Sequence, residues 1–288
     1  MKLSKISIVI PLFNEKRTIL KILKRVEKAK IGQIKKEIII VDDGSSDGTG
    51  QILKKLEGRK NYKIYYHSEN KGKGAALKTG FLHTTGEVVI VQDADLEYNP
   101  TDYPLLLAPF LKNGADVVYG SRFLTGLPRR IIYFWHQVGN KWLTLLSNIA
   151  TGLNLSDMET GYKAFRGDLI RKIAPTLKSP RFGFEPEITA KILKKGEKIF
   201  EVPIETKPRD YQEGKKIKAS LRDSGFNVLT PPKHLDGKNP KNICNKNASG
   251  KGVQLELTVP LREQFVSDSG PTDTFYRYAA AVSKALQK

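Results

Sequence analysis

Three apolar, β-branched runs in the first hundred residues each end on acidic or turn-forming residues, and this repeated ending constrains the fold more than any other feature. Ile8-Val9-Ile10 leads into Pro11-Leu12-Phe13-Asn14-Glu15, Ile38-Ile39-Ile40-Val41 into Asp42-Asp43-Gly44-Ser45, and Val88-Val89-Ile90-Val91 into Gln92-Asp93-Ala94-Asp95. Candidate strands at 6–10, 37–41, 63–66, 87–91, 116–119 and 198–203 alternate with helical-period segments at 15–30, 48–56, 74–83, 100–112 and 185–195. Strands alternating with helices of this length predict an α/β fold, a mostly parallel sheet with helices on both faces. In such sheets ligands bind outside the carboxyl ends of the strands. The three endings are therefore expected to meet along one edge and form a site.

Asp93-Ala94-Asp95 is the centre of that expectation. Two carboxylates one residue apart, just past a strand, suit a hard cation such as Mg2+ or Mn2+ shared with a substrate diphosphate. Glu97 stands two residues on as a third oxygen donor, while a helix N-terminus capped by acids explains the Asp-X-Asp pair equally well. Asp42-Asp43-Gly44-Ser45-Ser46-Asp47-Gly48-Thr49 reads as a turn feeding a helix, or as an acceptor for a base N–H or ribose hydroxyl. Asn70-Lys71-Gly72-Lys73-Gly74 opens a helix with two lysines; it suits a phosphate or a solvated turn and lacks the P-loop ending.

Further on, Gly120-Ser121-Arg122-Phe123 follows a strand, and Arg129-Arg130 come soon after; guanidinium groups recognise phosphate oxygens in pairs. Residues 131–150 are rich in Trp, Tyr, Phe and Leu but broken by His136, Asn140 and Lys141, a mix that suits either an interfacial amphipathic helix or a core helix. Asp157 and Glu159 precede a short strand, where carboxylates can orient an acceptor or act as a general base. Arg209 through Lys216 is a basic segment that reads as a closing loop or a linker.

A formal charge of +19 suits an anionic partner (phosphate-bearing substrate, acidic membrane surface or nucleic acid) or a solvated basic surface with no specific partner. Nucleic acid is set aside, because the lysines are scattered and no zinc-finger or RNA-binding motif occurs. One cysteine, Cys244, leaves no internal disulfide, and no signal-peptide core or long apolar span is present. The expected location is the cytoplasm, with peripheral contact at the cytoplasmic membrane face.

These motifs, in this order from Ile6 to Ile217, resemble family 2 glycosyltransferases of the GT-A fold, especially the branch of dolichyl-phosphate mannosyltransferases and other polyprenyl-phosphate glycosyltransferases. The resemblance implies that Pro11, Phe13, Glu15, Val41, Asp43, Asp93 and Ala94 surround a nucleotide sugar, and that Asp93, Asp95 and Glu97 hold Mg2+ or Mn2+. It implies phosphate contacts from Arg122, Arg209 and Lys215, and places Asp95, Arg122, Asp157 and Glu159 at the chemistry. The reaction implied is an inverting transfer of a hexose to a polyprenyl phosphate without a covalent enzyme intermediate; the alternatives are transfer to a saccharide or other hydroxyl acceptor and, in a different class, zinc-dependent poly-γ-glutamate hydrolysis by the C-terminal segment.

The expected division is a glycosyltransferase domain at 1–217 and a small α+β segment at 218–288. The usual basic, aromatic juxtamembrane continuation is missing after Ile217. In its place Leu221–Phe226, Asn239–Asn245 and Gly252–Leu257 resemble the end of phage-type zinc-dependent poly-γ-glutamate hydrolases, with Glu256 matching the catalytic carboxylate. That family's upstream zinc ligands have no counterpart, since His67, His83, His136 and His234 form no paired motif. The segment reads as a hydrolase remnant or a fusion.

Overall fold

The computed structural model describes residues 3–124, 134–181 and 183–206, with backbone alone at 134–138, and two short backbone pieces at 266–267 and 270–271. The chain divides into two compact units, Met1–Pro208 and Arg209–Lys288. In the first, seven strands form one sheet: β1 (Lys5–Leu12), β2 (Lys35–Asp42), β3 (Tyr62–Tyr66), β4 (Val88–Val91), β5 (Val117–Ser121), β6 (Lys163–Arg166) and β7 (Ile199–Pro203). The helices are α1 (Ile19–Lys28), α2 (Thr49–Lys54), α3 (Lys73–Leu82), α4 (Tyr103–Lys112), α5 (Phe134–Thr151), α6 (Gly167–Ile173) and α7 (Phe184–Leu193).

The strand order is β3-β2-β1-β4-β6-β5-β7, and β6 runs antiparallel to both its neighbours while the other pairs are parallel. The sheet is therefore mostly parallel, as expected, with one reversed strand. Its two faces follow the period-two alternation of the strands. Ile6, Ile8 and Ile10 of β1 pack with Ile19, Ile22 and Val26 of α1 and with Leu106 and Phe110 of α4. Val9 points the other way, to Leu77 and Phe81 of α3 and to the layer containing Phe184 and Ile188 of α7. Covering both faces is what lets β1, β2 and β4 be continuous Ile/Val runs.

Two boundaries differ from the sequence reading for local reasons. Helix α1 begins at Ile19 rather than near Glu15, because the Glu15 carbonyl is taken by the Thr18 and Ile19 amides in a preceding turn. Helix α6 has only seven residues directly after β6, too few for its periodicity to stand out.

The opposite edge of the sheet from the three acidic endings is fastened by Glu37. Its carboxylate accepts hydrogen bonds from Ser7 Oγ (2.5 Å), Thr85 N (2.9 Å) and Thr85 Oγ1 (3.0 Å) and pairs with Lys63 (2.7 Å). In the second unit the described residues form one antiparallel pair, β8 (Val266–Ser267) with β9 (Gly270–Pro271). The strand expected at 253–259 and the helix expected from Thr272 lie outside the described residues.

Candidate active site

Register brings the acidic endings together. Pro11 pairs with Val41 and Leu12 with Asp42 across β1 and β2, and β4 pairs on the other side of β1 up to Val9 opposite Val91. The loops are then sewn to one another. Asn14 adopts a left-handed conformation (φ 57), its amide donates to Ser45 Oγ (2.8 Å), and its side-chain oxygen accepts from Ser46 N (2.8 Å). Asn tolerates this conformation better than most residues, which accounts for its place in the Phe13-Asn14-Glu15 turn. Phe13 and Glu15 are half-buried there, beside buried Pro11 and Val41.

Asp43 is buried and turned inward. One carboxylate oxygen accepts from Lys71 N (3.0 Å) and meets His67 Nδ1 (2.6 Å); the other accepts from Gly72 N (2.7 Å). The shape of the Lys71–Lys73 turn is thereby set from below. Gly72 has φ 100, and a Cβ there would lie 2.5 Å from the Pro180 carbonyl, so only glycine lets the turn press against the segment preceding α7.

This turn aims Lys73 at the centre of the site. Its ammonium lies 2.9 Å and 3.0 Å from the two carboxylate oxygens of Asp93 and 3.7 Å from Glu185. Burial would lower the pKa of Lys73, but the carboxylates of Asp93 and Glu185 outweigh it and hold the group well above the ordinary lysine value. Gly161 completes the close approach: a Cβ on it would fall 2.4 Å from Asp93 Oδ2.

After Asp93 the chain turns sharply. Leu96 takes a left-handed conformation (φ 70), uncommon for a side chain of its size, and Asp95 Oδ1 accepts from Glu97 N (3.0 Å). Ala94 is buried, whereas Asp93, Asp95 and Glu97 are each partly exposed on this turn. Among the described residues no three His, Cys, Asp or Glu side chains gather closely enough to form a metal cage, so Asp93, Asp95 and Glu97 are not a preassembled trio. The donors are carboxylates of the kind that share a hard cation with substrate phosphates rather than enclose it. They fit Mg2+ or Mn2+ in that mode.

Arg122 and Asp157 form the second focus. Asp157 is fully buried; it accepts from Arg122 N (3.0 Å), Arg122 Nε (2.7 Å) and Arg122 Nη2 (2.7 Å). This two-pronged pair fixes the guanidinium in direction as well as position. Asp157 N is held by Glu201 of β7 (3.2 Å). Glu159, half-buried two residues on, has a raised pKa, first through burial and then through the neighbouring carboxylate of Glu185. Lys163 ties the same loop from inside β6: its ammonium donates to the Met158 carbonyl (2.8 Å) and to that of Thr160, and lies 4.5 Å over the Tyr119 ring. Burial brings the Lys163 pKa down to about 8 against the pull of Glu185 and Asp157.

The structure thus brings Asp93, Asp95, Glu97, Arg122, Asp157 and Glu159 to one edge of the sheet, with Pro11, Phe13, Glu15, Val41 and Asp43 on the β1–β2 side. Arg209, Lys215, Arg129 and Arg130 lie outside the described residues, as does Glu256. Three side chains of the site carry no individual signal in the sequence: Lys163, Glu185 and Tyr98, whose hydroxyl accepts from Gly161 N (2.9 Å). Lys73 stands in the Asn70–Gly74 motif, so its charge was visible. Glu185 reads as one acid of a helix start and carries no signal of its own.

Residues 7–174 match the family model described as glycosyl transferase family 2, and residues 204–282 match that of poly-γ-glutamate hydrolase. An uncharacterised protein of Methanocaldococcus jannaschii is 32% identical over 78% of this chain and 87% of its own. A dolichol-phosphate mannosyltransferase of Pyrococcus furiosus is 30% identical over 76% of this chain, which spans 62% of that enzyme. Among solved structures, glucosyl-3-phosphoglycerate synthase of Mycobacterium tuberculosis, in complex with Mn2+, UDP and glucosyl-3-phosphoglycerate, superposes with a TM-score of 0.55 at 21% identity, covering 79% of this chain and 82% of that one. That likeness establishes the GT-A fold. The chain belongs to glycosyltransferase family 2.

Proposed function

We propose that this glycosyltransferase moves a hexose from a nucleoside diphosphate sugar to a polyprenyl phosphate, using Mg2+ or Mn2+. One observation carries the lipid acceptor: α5 is amphipathic with its polar side inward. Thr144 is 4% exposed and its hydroxyl accepts from Met158 N (3.2 Å), while Asn148 exchanges hydrogen bonds with Leu155 N (3.0 Å) and Leu155 O (2.8 Å). Trp142, Leu145, Leu146 and Ile149, spaced as one helix face, are turned to solvent, Ile149 at 71% and Trp142 at 60%. Such an apolar stripe on a helix that also anchors the Asp157 loop suits a lipid interface beside the acceptor site. No helix among the described residues is long and apolar enough to cross a membrane, so contact of this kind is peripheral in the proposal.

The geometry supports the following roles. Pro11, Phe13, Glu15, Val41, Asp43 and Ala94 border the nucleotide; Asp93 and Asp95, with Glu97, hold the cation. When bound, the cation offsets charge on the departing diphosphate. Arg122 faces phosphate with its direction set by Asp157. An acceptor phosphate is already ionised, so its oxygen attacks the anomeric carbon without a general base, and Glu159 orients the acceptor. The dolichol-phosphate mannosyltransferase relative supports this acceptor.

The second reading, a small phosphorylated hydroxyl acceptor, is favoured by the glucosyl-3-phosphoglycerate bound in the solved neighbour. Transfer assays with UDP- and GDP-hexoses, Mn2+ and either a short polyprenyl phosphate or 3-phosphoglycerate separate the two. Product formation only with 3-phosphoglycerate would displace the lipid reading.

A further inference from the structure

Asp43 is tied to the segment that carries Lys73 by two amides and one side chain. The amides of Lys71 and Gly72 donate to its two carboxylate oxygens (3.0 Å and 2.7 Å), and the ring of His67 meets the first oxygen through Nδ1 (2.6 Å). His67 stands immediately after β3, with its own amide on the Asp42 carbonyl (2.8 Å). Its other ring nitrogen, Nε2, lies 2.9 Å from Thr79 Oγ1 in the second turn of α3. One histidine therefore braces the end of β2 against the helix that begins at Lys73. The His67 side chain is 11% exposed and that of Asp43 3%, so little water competes for these contacts.

A carboxylate oxygen accepts, so Nδ1 carries the hydrogen, and Nε2 faces a hydroxyl that can either donate or accept. The contact with Thr79 thus holds whether the ring is neutral or charged. Lys73 lies between the two anchors of the brace, the Lys71–Gly72 amides before it and Thr79 after it. Its ammonium meets both oxygens of Asp93. A lysine head group on a flexible four-carbon stem keeps such an approach only while its backbone is held.

We infer that His67 is a positioning residue for Lys73: by bracing Asp43 against α3 it keeps the ammonium on Asp93 and so sets that carboxylate's affinity for a divalent cation. The inference rests on the metal-binding reading of Asp93. Through this ring the β2 side of the site is joined to its metal side, and a cation that takes Asp93 displaces the ammonium without releasing the turn that carries it.

The test is Mn2+ titration by paramagnetic resonance, without nucleotide, on the full chain. His67→Leu is expected to raise Mn2+ affinity roughly two- to fivefold, part of what losing the ammonium outright would give. His67→Asn, whose amide N–H can take the place of the Nδ1 hydrogen, should stay close to the wild type, and the isosteric Thr79→Val should give a smaller rise than His67→Leu. In a Lys73→Met background His67→Leu should change nothing further, a non-additivity that general loosening of the fold would not produce. Should His67→Leu fail to fold, Thr79→Val in the two backgrounds carries the same comparison. An equal rise in both backgrounds, or no rise in the folded variant, would overturn the inference alone. Wild-type Mn2+ binding that Asp93→Ala leaves unchanged would overturn the metal reading of Asp93 and the inference with it.

Discussion

The ammonium of Lys73 sits between the two carboxylate oxygens of Asp93, at 2.9 Å and 3.0 Å, so a side-chain cation occupies the position where the first acid of Asp93-Ala94-Asp95 would meet a metal. On the proposed metal-binding role of Asp93, Lys73 and a divalent cation compete for one carboxylate. Lys73→Met is expected to raise Mn2+ affinity without nucleotide by roughly three- to tenfold, an effect of one nearby charge in a partly solvated site. The same change should weaken binding of a nucleoside diphosphate with Mn2+, since an ammonium facing phosphate is lost. Mn2+ titration by paramagnetic resonance, with and without UDP or GDP, checks both signs. A fall in both affinities would remove Lys73 from the role of competitor.

Arg122 and Asp157 are expected to behave as one unit. Arg122→Lys keeps the charge but loses the two-pronged contact, and activity should fall at least about tenfold with a small change in melting temperature. Asp157→Ala leaves a largely buried guanidinium without its partner and should cost about 3–5 kcal/mol of stability. Thermal unfolding beside transfer assays separates the two effects, and a stable Asp157→Ala protein would mean that the pair is dispensable to the fold.

The outward face of α5 can be tested without touching the donor site. Leu145→Glu with Ile149→Glu should abolish binding to vesicles containing anionic lipid and reduce transfer to polyprenyl phosphate, while affinity for the donor stays at the wild-type value. Vesicle flotation and donor titration are the two readouts. Unchanged flotation would detach this face from the membrane.

Stability should respond to pH through two buried acids with opposite signs. Burial alone would raise the Glu37 pKa, but hydrogen bonds from Lys63, Ser7 and Thr85 outweigh it and hold the group at about 2. Its contribution is therefore present above the unfolded carboxylate value, about 4, and lost as pH falls from there toward 2. Asp102 is raised to about 6, chiefly by burial, partly offset by the hydrogen bond it accepts from Glu205 N. The folded state holds that proton where the unfolded chain has released it, so stability falls as pH rises from about 4 to 6. Asp102→Asn should flatten that slope and stabilise the protein at pH 7 by about 1–2 kcal/mol. Denaturant unfolding between pH 3 and 8 measures both limbs.

The layout of the site was legible wherever it followed from strand direction. The β-branched runs before Pro11, Asp42 and Asp93 placed the three acidic endings on one edge because parallel neighbours share their carboxyl ends. Reversal of β6 was not legible: Lys163-Ala164-Phe165-Arg166 is too short to reveal direction, which depends on its pairing with β4 and β5. Nor was the inward turn of Asp43, because a carboxylate in a Gly/Ser turn reads as solvent-facing until the Lys71–Gly72 amides are seen above it. Helix α5 kept two meanings in sequence, core or interface. Exposure of Trp142 and Ile149 alongside burial of Thr144 shows that the apolar side is turned away from the core, which apolar content alone does not say.

Transfer of a hexose to a lipid phosphate is read by following a radiolabelled hexose from UDP- or GDP-sugar into organic-extractable product. With Mn2+ or Mg2+ and a short polyprenyl phosphate, a lipid-linked sugar is expected that disappears on chelation and in Asp95→Ala. Metal-dependent release of sugar that polyprenyl phosphate neither stimulates nor captures would contradict it.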